Sequence, residues 1–147
     1  MEVWVRPAEL SDLSAVLRLY AQPELDDGRV LGLEDAAHLF EKIRQYPSYG
    51  LFVAERQGQI VGTFTLLIMD NLIHQGTPSA IVEAVAVDPE NQGQGIGQQM
   101  MQWAIAHCRE AGCYKLVISA SLKRDRAHAF YKSLGFVQHG YSFQVEF

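Results

Sequence analysis

Basic excess, long apolar runs and cysteine pairs are all missing from this chain, and each absence removes a class of function. Its 12 Lys and Arg face 17 Asp and Glu, a formal net charge of −5. A dedicated duplex nucleic-acid binder gains affinity by neutralising phosphates, so this balance argues against that role. Apolar stretches such as residues 66–69 are strand-sized, far short of the ~20 residues of a membrane span, and no membrane role is expected. Residues 1–7 lack the charged-then-apolar pattern of a secretory leader, which makes a cytoplasmic location the expectation. Cys108 and Cys113 are the only cysteines; without a second pair they make no zinc site, so they read as reduced structural thiols and no metal is expected. Repeats, low-complexity tracts and Pro/Ser-rich linkers are absent, and residues 1–147 read as a single domain.

What is present is an ordinary globular composition, 48% apolar and 20% charged, with an uneven charge distribution. Residues 1–90 hold fourteen acidic and six basic side chains, a net of −8, whereas residues 91–147 hold three acidic and six basic, a net of +3. That polarity implies two differently charged clients on one small domain.

Hydrophobic periodicity then divides the chain. Period-two alternation predicts strands over residues 2–6, 51–54, 60–69 and 114–120, with shorter terminal strands at 136–137 and 141–147. Residues 56–59 read as a hairpin turn, with Gly58 available for positive φ. Residues 80–87 are apolar on both faces except for Glu83, the pattern of a strand central in a sheet. Helical spacing predicts helices over about 13–20, capped by Ser11 or Asp12, and over 34–45, with Ala37, Leu39, Phe40 and Ile43 on the apolar side. Two more follow: a long one from about Gly95, with Ile96, Met100, Trp103, Ala104, Cys108 and Ala111 inward, and a short one over 125–134. Residues 22–33 and 70–79 read as exposed loops. The sum is a mixed, mostly antiparallel α/β (α+β) sheet of about seven strands with about four helices.

The strongest local signal is Asp88-Pro89-Glu90-Asn91-Gln92-Gly93-Gln94-Gly95-Ile96-Gly97, between the central strand and the long helix. Alternate glycines let consecutive amides converge on an anion, and the helix N-terminus adds partial positive charge, as a pyrophosphate cradle requires. A glycine-shaped turn with no ligand is the other reading. The dinucleotide fingerprint fails because Gln98 stands where its last glycine belongs, and the nucleotide P-loop fails because no Lys follows before Lys115.

Gln92-x-x-Gly95-x-Gly97 instead resembles the acetyl-CoA loop of the GNAT superfamily of N-acetyltransferases. A second block, Ala127-His128-Ala129-Phe130-Tyr131-Lys132-Ser133-Leu134-Gly135-Phe136, is similar to that family's Ala-x-x-Phe-Tyr-x-x-x-Gly-Phe signature, and Val5-Arg6-Pro7-Ala8 with Asp12 is similar to its opening. Within the superfamily, Gln92 to Gly95 with Gly112-Cys113-Tyr114-Lys115 resembles glucosamine-6-phosphate N-acetyltransferases, and the run from Lys123 to Tyr131 resembles aminoalkylphosphonate and aminoglycoside N-acetyltransferases.

The resemblance implies a GNAT fold splayed at its central strands and an acetyl-CoA-dependent N-acetyltransferase. It implies that the amides of Gln92, Gly93, Gln94, Gly95, Ile96 and Gly97 hold the CoA pyrophosphate and that Val85, Ala86 and Val87 pair with the pantetheine arm. Ser121 stands near the family's cofactor-contacting Asn, and Ala129 is placed among the cofactor contacts with Tyr131. Tyr131 matches the tyrosine that protonates the leaving thiolate, its other reading being a core aromatic. Glu83 matches the base that strips a proton from the acceptor ammonium, through water and with its pKa raised by burial; a structural pairing with an arginine or backbone amides is the alternative. Lys123, Arg124 and Arg126 either meet CoA phosphates or are solvated. His74, His128 and His139 read as surface or packing histidines.

The resemblance also implies a homodimer and a direct transfer in a ternary complex. Glu24, Asp26, Asp27, Glu34 and Asp35 in and beside the 22–33 loop favour a small cationic amine as acceptor, with Arg29 the only local cation. An amino-sugar phosphate, an aminophosphonate or a protein amine is the alternative acceptor. A non-catalytic acyl-CoA-binding module, acting as sensor or docking domain, is the alternative from another class.

Overall fold

The computed structural model describes residues 2–119 and 125–147. The elements run β1 (Trp4–Pro7), α1 (Leu13–Tyr20), α2 (Leu33–Ile43), β2 (Tyr49–Arg56), β3 (Gln59–Met69), β4 (Ser79–Val87), α3 (Ile96–Glu110), β5 (Leu116–Ile118) and α4 (Asp125–Ser133). Strands β1 to β4 form an antiparallel meander, and β5 joins β4 in parallel after the α3 crossover, giving the order β1-β2-β3-β4-β5. The β2–β3 hairpin turns as the sequence requires, with Gln57 and Gly58 both left-handed.

Alternation along β2 separates the two faces of the sheet. Phe52 and Ala54 pack into the cluster built by Phe64, Val82, Ile96, Met100, Met101 and Ala104 beneath α3. Leu51, one residue before Phe52 and so on the opposite face, packs with Leu13, Ala36 and Phe40 of the α1–α2 layer. The buried stripe of α2 is Ala36 and Phe40 with Ile43 half-buried, while Leu39 lies exposed. The helix turns its i, i+4, i+7 row inward and leaves Leu39, at the edge of that stripe, to solvent.

Among the described residues the sheet has five strands and not about seven, and the expected terminal strands at 136–137 and 141–147 do not form. Tyr141, Phe143, Val145 and Phe147 do alternate with polar residues, yet all of residues 137–147 are exposed and in no ladder. Alternation supplies a face to bury, but a strand also needs a neighbour whose amides and carbonyls pair with its own. The fifth strand is likewise shorter than residues 114–120. Among the described residues no helix is long and apolar enough to cross a membrane, and no group of three His, Cys, Asp or Glu could hold a metal.

The start of α1 is fixed by a partly buried ion pair. Arg6 of β1 forks onto Asp12, with Nη1–Oδ2 at 2.7 Å and Nη2–Oδ1 at 3.0 Å, and also reaches Glu55 at 3.2 Å. The Glu9 amide donates to Asp12 Oδ2 at 2.7 Å. The Arg6 hydrogen bonds, aided by that amide, hold the Asp12 carboxyl below its ordinary range. A depressed folded-state pKa stabilises the fold at pH values above the unfolded one, about 3.9, and the gain is lost as pH falls through the folded value. Asp12→Asn is therefore expected to cost about 2–3 kcal/mol at pH 7. Urea unfolding of both proteins at pH 7 and pH 3 checks this, and the gap between them should narrow at the lower pH.

Candidate functional site

The site begins with a mismatch in strand length. Strand β5 pairs only with Ala80, Ile81 and Val82, and β4 continues past its last partner through Glu83, Ala84, Val85, Ala86 and Val87. One edge of β4 thus carries no described strand, so an extended ligand can lie along it, although the carbonyls of Ala84 and Val87 already accept from side chains. On its other edge β4 carries a β-bulge. Thr65 pairs with Glu83 and Thr63 with Ala86, so Ala84 and Val85 together oppose Phe64. Ala84 is left-handed, φ 52°. The extra residue reverses the alternation: Ala80 and Val82 pack on the α3 side before the bulge, and Val85 and Val87 after it. A bulge also leaves the amide of its extra residue outside the ladder.

Glu83 therefore points to the α1–α2 face, immediately before the bulge. Its expected burial is not found, since the residue is exposed. None of the ion pairs among the described residues includes Glu83. Its backbone carbonyl accepts from Thr65 Oγ1 at 3.2 Å.

Beyond Val87 the chain makes a short 3₁₀ turn, Pro89–Asn91, held by Asp88, whose Oδ1 accepts from the Glu90 amide at 3.1 Å and whose Oδ2 accepts from Asn91 Nδ2 at 3.0 Å. Gly93 and Gly95 are left-handed, φ 77° and 81°, and no atom beyond the neighbouring residues lies within 4 Å of where a Cβ would stand. An L side chain there would strain the backbone and fill the concavity. Gly95 caps α3, and the first intrahelical bond runs from the Gln99 amide to its carbonyl at 3.0 Å. The first-turn amides of Ile96 and Gly97 lie ahead of that bond, facing the open glycine loop. Gln92 is exposed, and its Nε2 donates back to the Val87 carbonyl at 3.3 Å.

The two motif blocks meet at Gly97. A Cβ on that residue would come within 3.2 Å of the Phe130 ring, so glycine lets α4 close over the start of α3. Tyr131, next along α4, packs half-buried against the α3-side cluster, its ring 5.3 Å from that of Phe130 and 5.7 Å from that of Phe136. Tyr131 thus approaches from the α3 side of the sheet and Glu83 from the α1 side. Ala129 is exposed on the same helix, as is Arg126. Ser121, Lys123 and Arg124 lie outside the described residues.

Three contributors escaped the sequence pattern. Tyr20, the last residue of α1, donates its hydroxyl to the Ala84 carbonyl at 3.0 Å, and burial pushes its phenol up to about 12. Gln22, just past it, donates Nε2 to the Val87 carbonyl at 3.0 Å. Together they tie the entry of the 22–33 loop to the unpaired part of β4. Arg56, at the β2–β3 hairpin, donates from Nη1 to Gln94 Oε1 at 2.7 Å and from Nη2 to Asn91 Oδ1. The 22–33 loop itself is exposed, and its one cation, Arg29, is held by Asp26 at 2.6 Å.

The cysteines and the remaining histidines divide between packing and surface positions. Burial drives the Cys108 thiol up to about 12 and raises that of Cys113 too, so neither is a ready nucleophile. His74 stacks on Tyr114 with centroids 4.1 Å apart, His128 is half-buried on α4, and His139 is exposed.

Comparison with known proteins points the same way. The acetyltransferase (GNAT) family profile matches residues 14–136. A glucosamine 6-phosphate N-acetyltransferase from Trypanosoma brucei brucei is 29% identical over 140 residues, covering 95% of this chain and 92% of that protein. An aminoalkylphosphonate N-acetyltransferase from Salmonella typhimurium is 34% identical over 97 residues, covering 66% of this chain and 62% of that protein. Among solved structures, a candidate acetyltransferase from Agrobacterium tumefaciens superposes with a TM-score of 0.90 at 33% identity, covering 97% of this chain and 99% of that one.

Proposed function

Because this chain belongs to the acetyltransferase (GNAT) family, we propose that it transfers the acetyl group of acetyl-CoA to a small cationic primary amine, by direct attack in a ternary complex. The observation that carries the cosubstrate half is the alignment of an unpaired β4 edge with a left-handed glycine loop and the N-terminus of α3. An extended amide-bearing arm fits the first, and a pyrophosphate fits the second. The pantetheine amides pair with the backbone of Val85, Ala86 and Val87, and the amides from Gln92 to Gly97 receive the phosphates.

The chemistry follows from what flanks that arm. Glu83, exposed to water on the α1 side, takes a proton from the acceptor ammonium through a water molecule. The free amine attacks the thioester carbonyl carbon, and the amide at the bulge near Val85 donates to the developing oxyanion. The tetrahedral intermediate collapses with cleavage of the C–S bond, and the Tyr131 hydroxyl gives its proton to the departing sulfur. The products are the N-acetyl amine and CoA thiol. Both cysteines are unsuited to carry the acetyl group, consistent with a single displacement.

The acceptor assignment rests on the acidic loop. Gln22 and Tyr20 tie its entry to β4, and the loop and the start of α2 carry Glu24, Asp27, Glu34 and Asp35, while Asp26 pairs with Arg29. A cation is favoured at such a surface. The names of the two relatives above favour a second reading, an amine that carries a phosphate or phosphonate. Thiol release from acetyl-CoA across a panel of polyamines, aminoglycosides, glucosamine 6-phosphate and aminoalkylphosphonates decides between them. Turnover is expected with the polycations and at least tenfold less with the phosphorylated amines, a gap of about 1.4 kcal/mol. The reverse order installs the second reading, and tight acetyl-CoA binding with no turnover on any amine replaces both with a sensor.

A further inference from the structure

We infer that Arg56 is a positioning residue for the anionic end of acetyl-CoA, locking the glycine loop and supplying the positive charge which that loop lacks. The inference rests on the reading of residues 92–97 as the pyrophosphate loop. Residues 88–97 contain two acids, Asp88 and Glu90, and no Lys or Arg. A cosubstrate pyrophosphate must settle against those amides despite two neighbouring carboxylates. The cation comes instead from the β2–β3 hairpin, remote in sequence and adjacent in space.

The geometry is that of a clamp. The Arg56 fork spans the loop from Asn91 to Gln94, so Gln92 and Gly93 arch between its two partners. Asn91 is gripped from both ends, its Oδ1 by Arg56 and its Nδ2 by Asp88. Two left-handed glycines make this segment costly to order, and a guanidinium with two fixed acceptors reduces the freedom left to lose when the ligand arrives. Both acceptors are neutral side-chain amides, and among the described residues no carboxylate stands within ion-pair distance of Arg56. Its charge is therefore not taken up in an ion pair, and it offsets the two carboxylates beside the anion the loop receives. Lysine would keep the charge and lose the fork.

The test compares wild type, Arg56→Lys and Arg56→Gln by calorimetric titration with acetyl-CoA and with S-acetylpantetheine, which has the thioester arm but no pyrophosphate. Arg56→Gln is expected to raise Kd and KM for acetyl-CoA about tenfold, with Arg56→Lys between. At saturating acetyl-CoA, kcat should stay within about twofold, the pattern of lost uniform binding. With S-acetylpantetheine, wild type and both variants should behave alike. Equal acetyl-CoA affinity in wild type and both variants overturns the inference alone. So does an equal loss toward S-acetylpantetheine, which would mean general damage to the site. Wild type that binds no acetyl-CoA overturns the pyrophosphate-loop reading and this inference with it.

Discussion

Tyr131→Phe is expected to lower kcat by about 10²–10³-fold, within the usual range for a positioned general acid, while acetyl-CoA affinity stays within about twofold of wild type. The substitution removes one oxygen and keeps the ring that packs against Phe130 and Phe136, so α4 should hold its place over Gly97. The loss then belongs to the collapse of the tetrahedral intermediate, where an alkylthiolate must leave. A phenol of ordinary pKa ~10 lies close enough to a thiol at ~8.5 to share its proton during C–S cleavage. The role makes a second demand. An aryl thioester, whose thiolate needs less protonation, should narrow the difference between Tyr131→Phe and wild type, because acid catalysis matters most for poor leaving groups. Stopped-flow thiol release with both thioesters reads this directly. Equal turnover of variant and wild type removes the acid role, and an undiminished defect with the aryl thioester shifts Tyr131 to a purely structural one.

The parts of this molecule legible in the sequence are those whose information is local. Glycine alternation after a doubly apolar strand marked the loop and the start of α3, because only glycine adopts the left-handed backbone there without strain. The Phe130–Tyr131 block marked α4 by spacing. The bulge had no such marker: Ala84 is a common strand residue, and its left-handed conformation is imposed by the pairing of Thr63 and Thr65 across the ladder. Tyr20, Gln22 and Arg56 were equally silent. Their acceptors lie 64, 65 and 35–38 positions away in sequence, and residue type alone does not say which distant oxygen a donor will meet. The terminal alternation at residues 141–147 erred the other way, with a local pattern present and no tertiary partner to realise it. The polarity of charge proved informative in part. The acidic half does supply the loop tied to β4, but Arg56, which among the described residues bonds to the glycine loop, belongs to that same acidic half.

Glu83→Gln is expected to lower turnover at neutral pH by on the order of 10²-fold, and the acidic limb of the kcat/KM profile should flatten. The side chain is exposed and stands outside the ion pairs of the described fold, so its charge is not needed to hold β4 in place. A purely structural role would reduce rate by the same factor at every pH. A base role does not. An aliphatic acceptor amine with a pKa near 10.4 loses its proton to solvent as pH rises, and above that point a residue that removes the proton has nothing left to do. The ratio of wild-type to Glu83→Gln rates should therefore shrink steadily from pH 7 to pH 10, approaching unity for the most acidic amines of the panel. Replacing the acceptor with an amine of lower pKa should move the convergence to lower pH by the same interval. A ratio that stays constant across this range would assign Glu83 to the shape of the bulge and leave solvent as the acceptor of the ammonium proton.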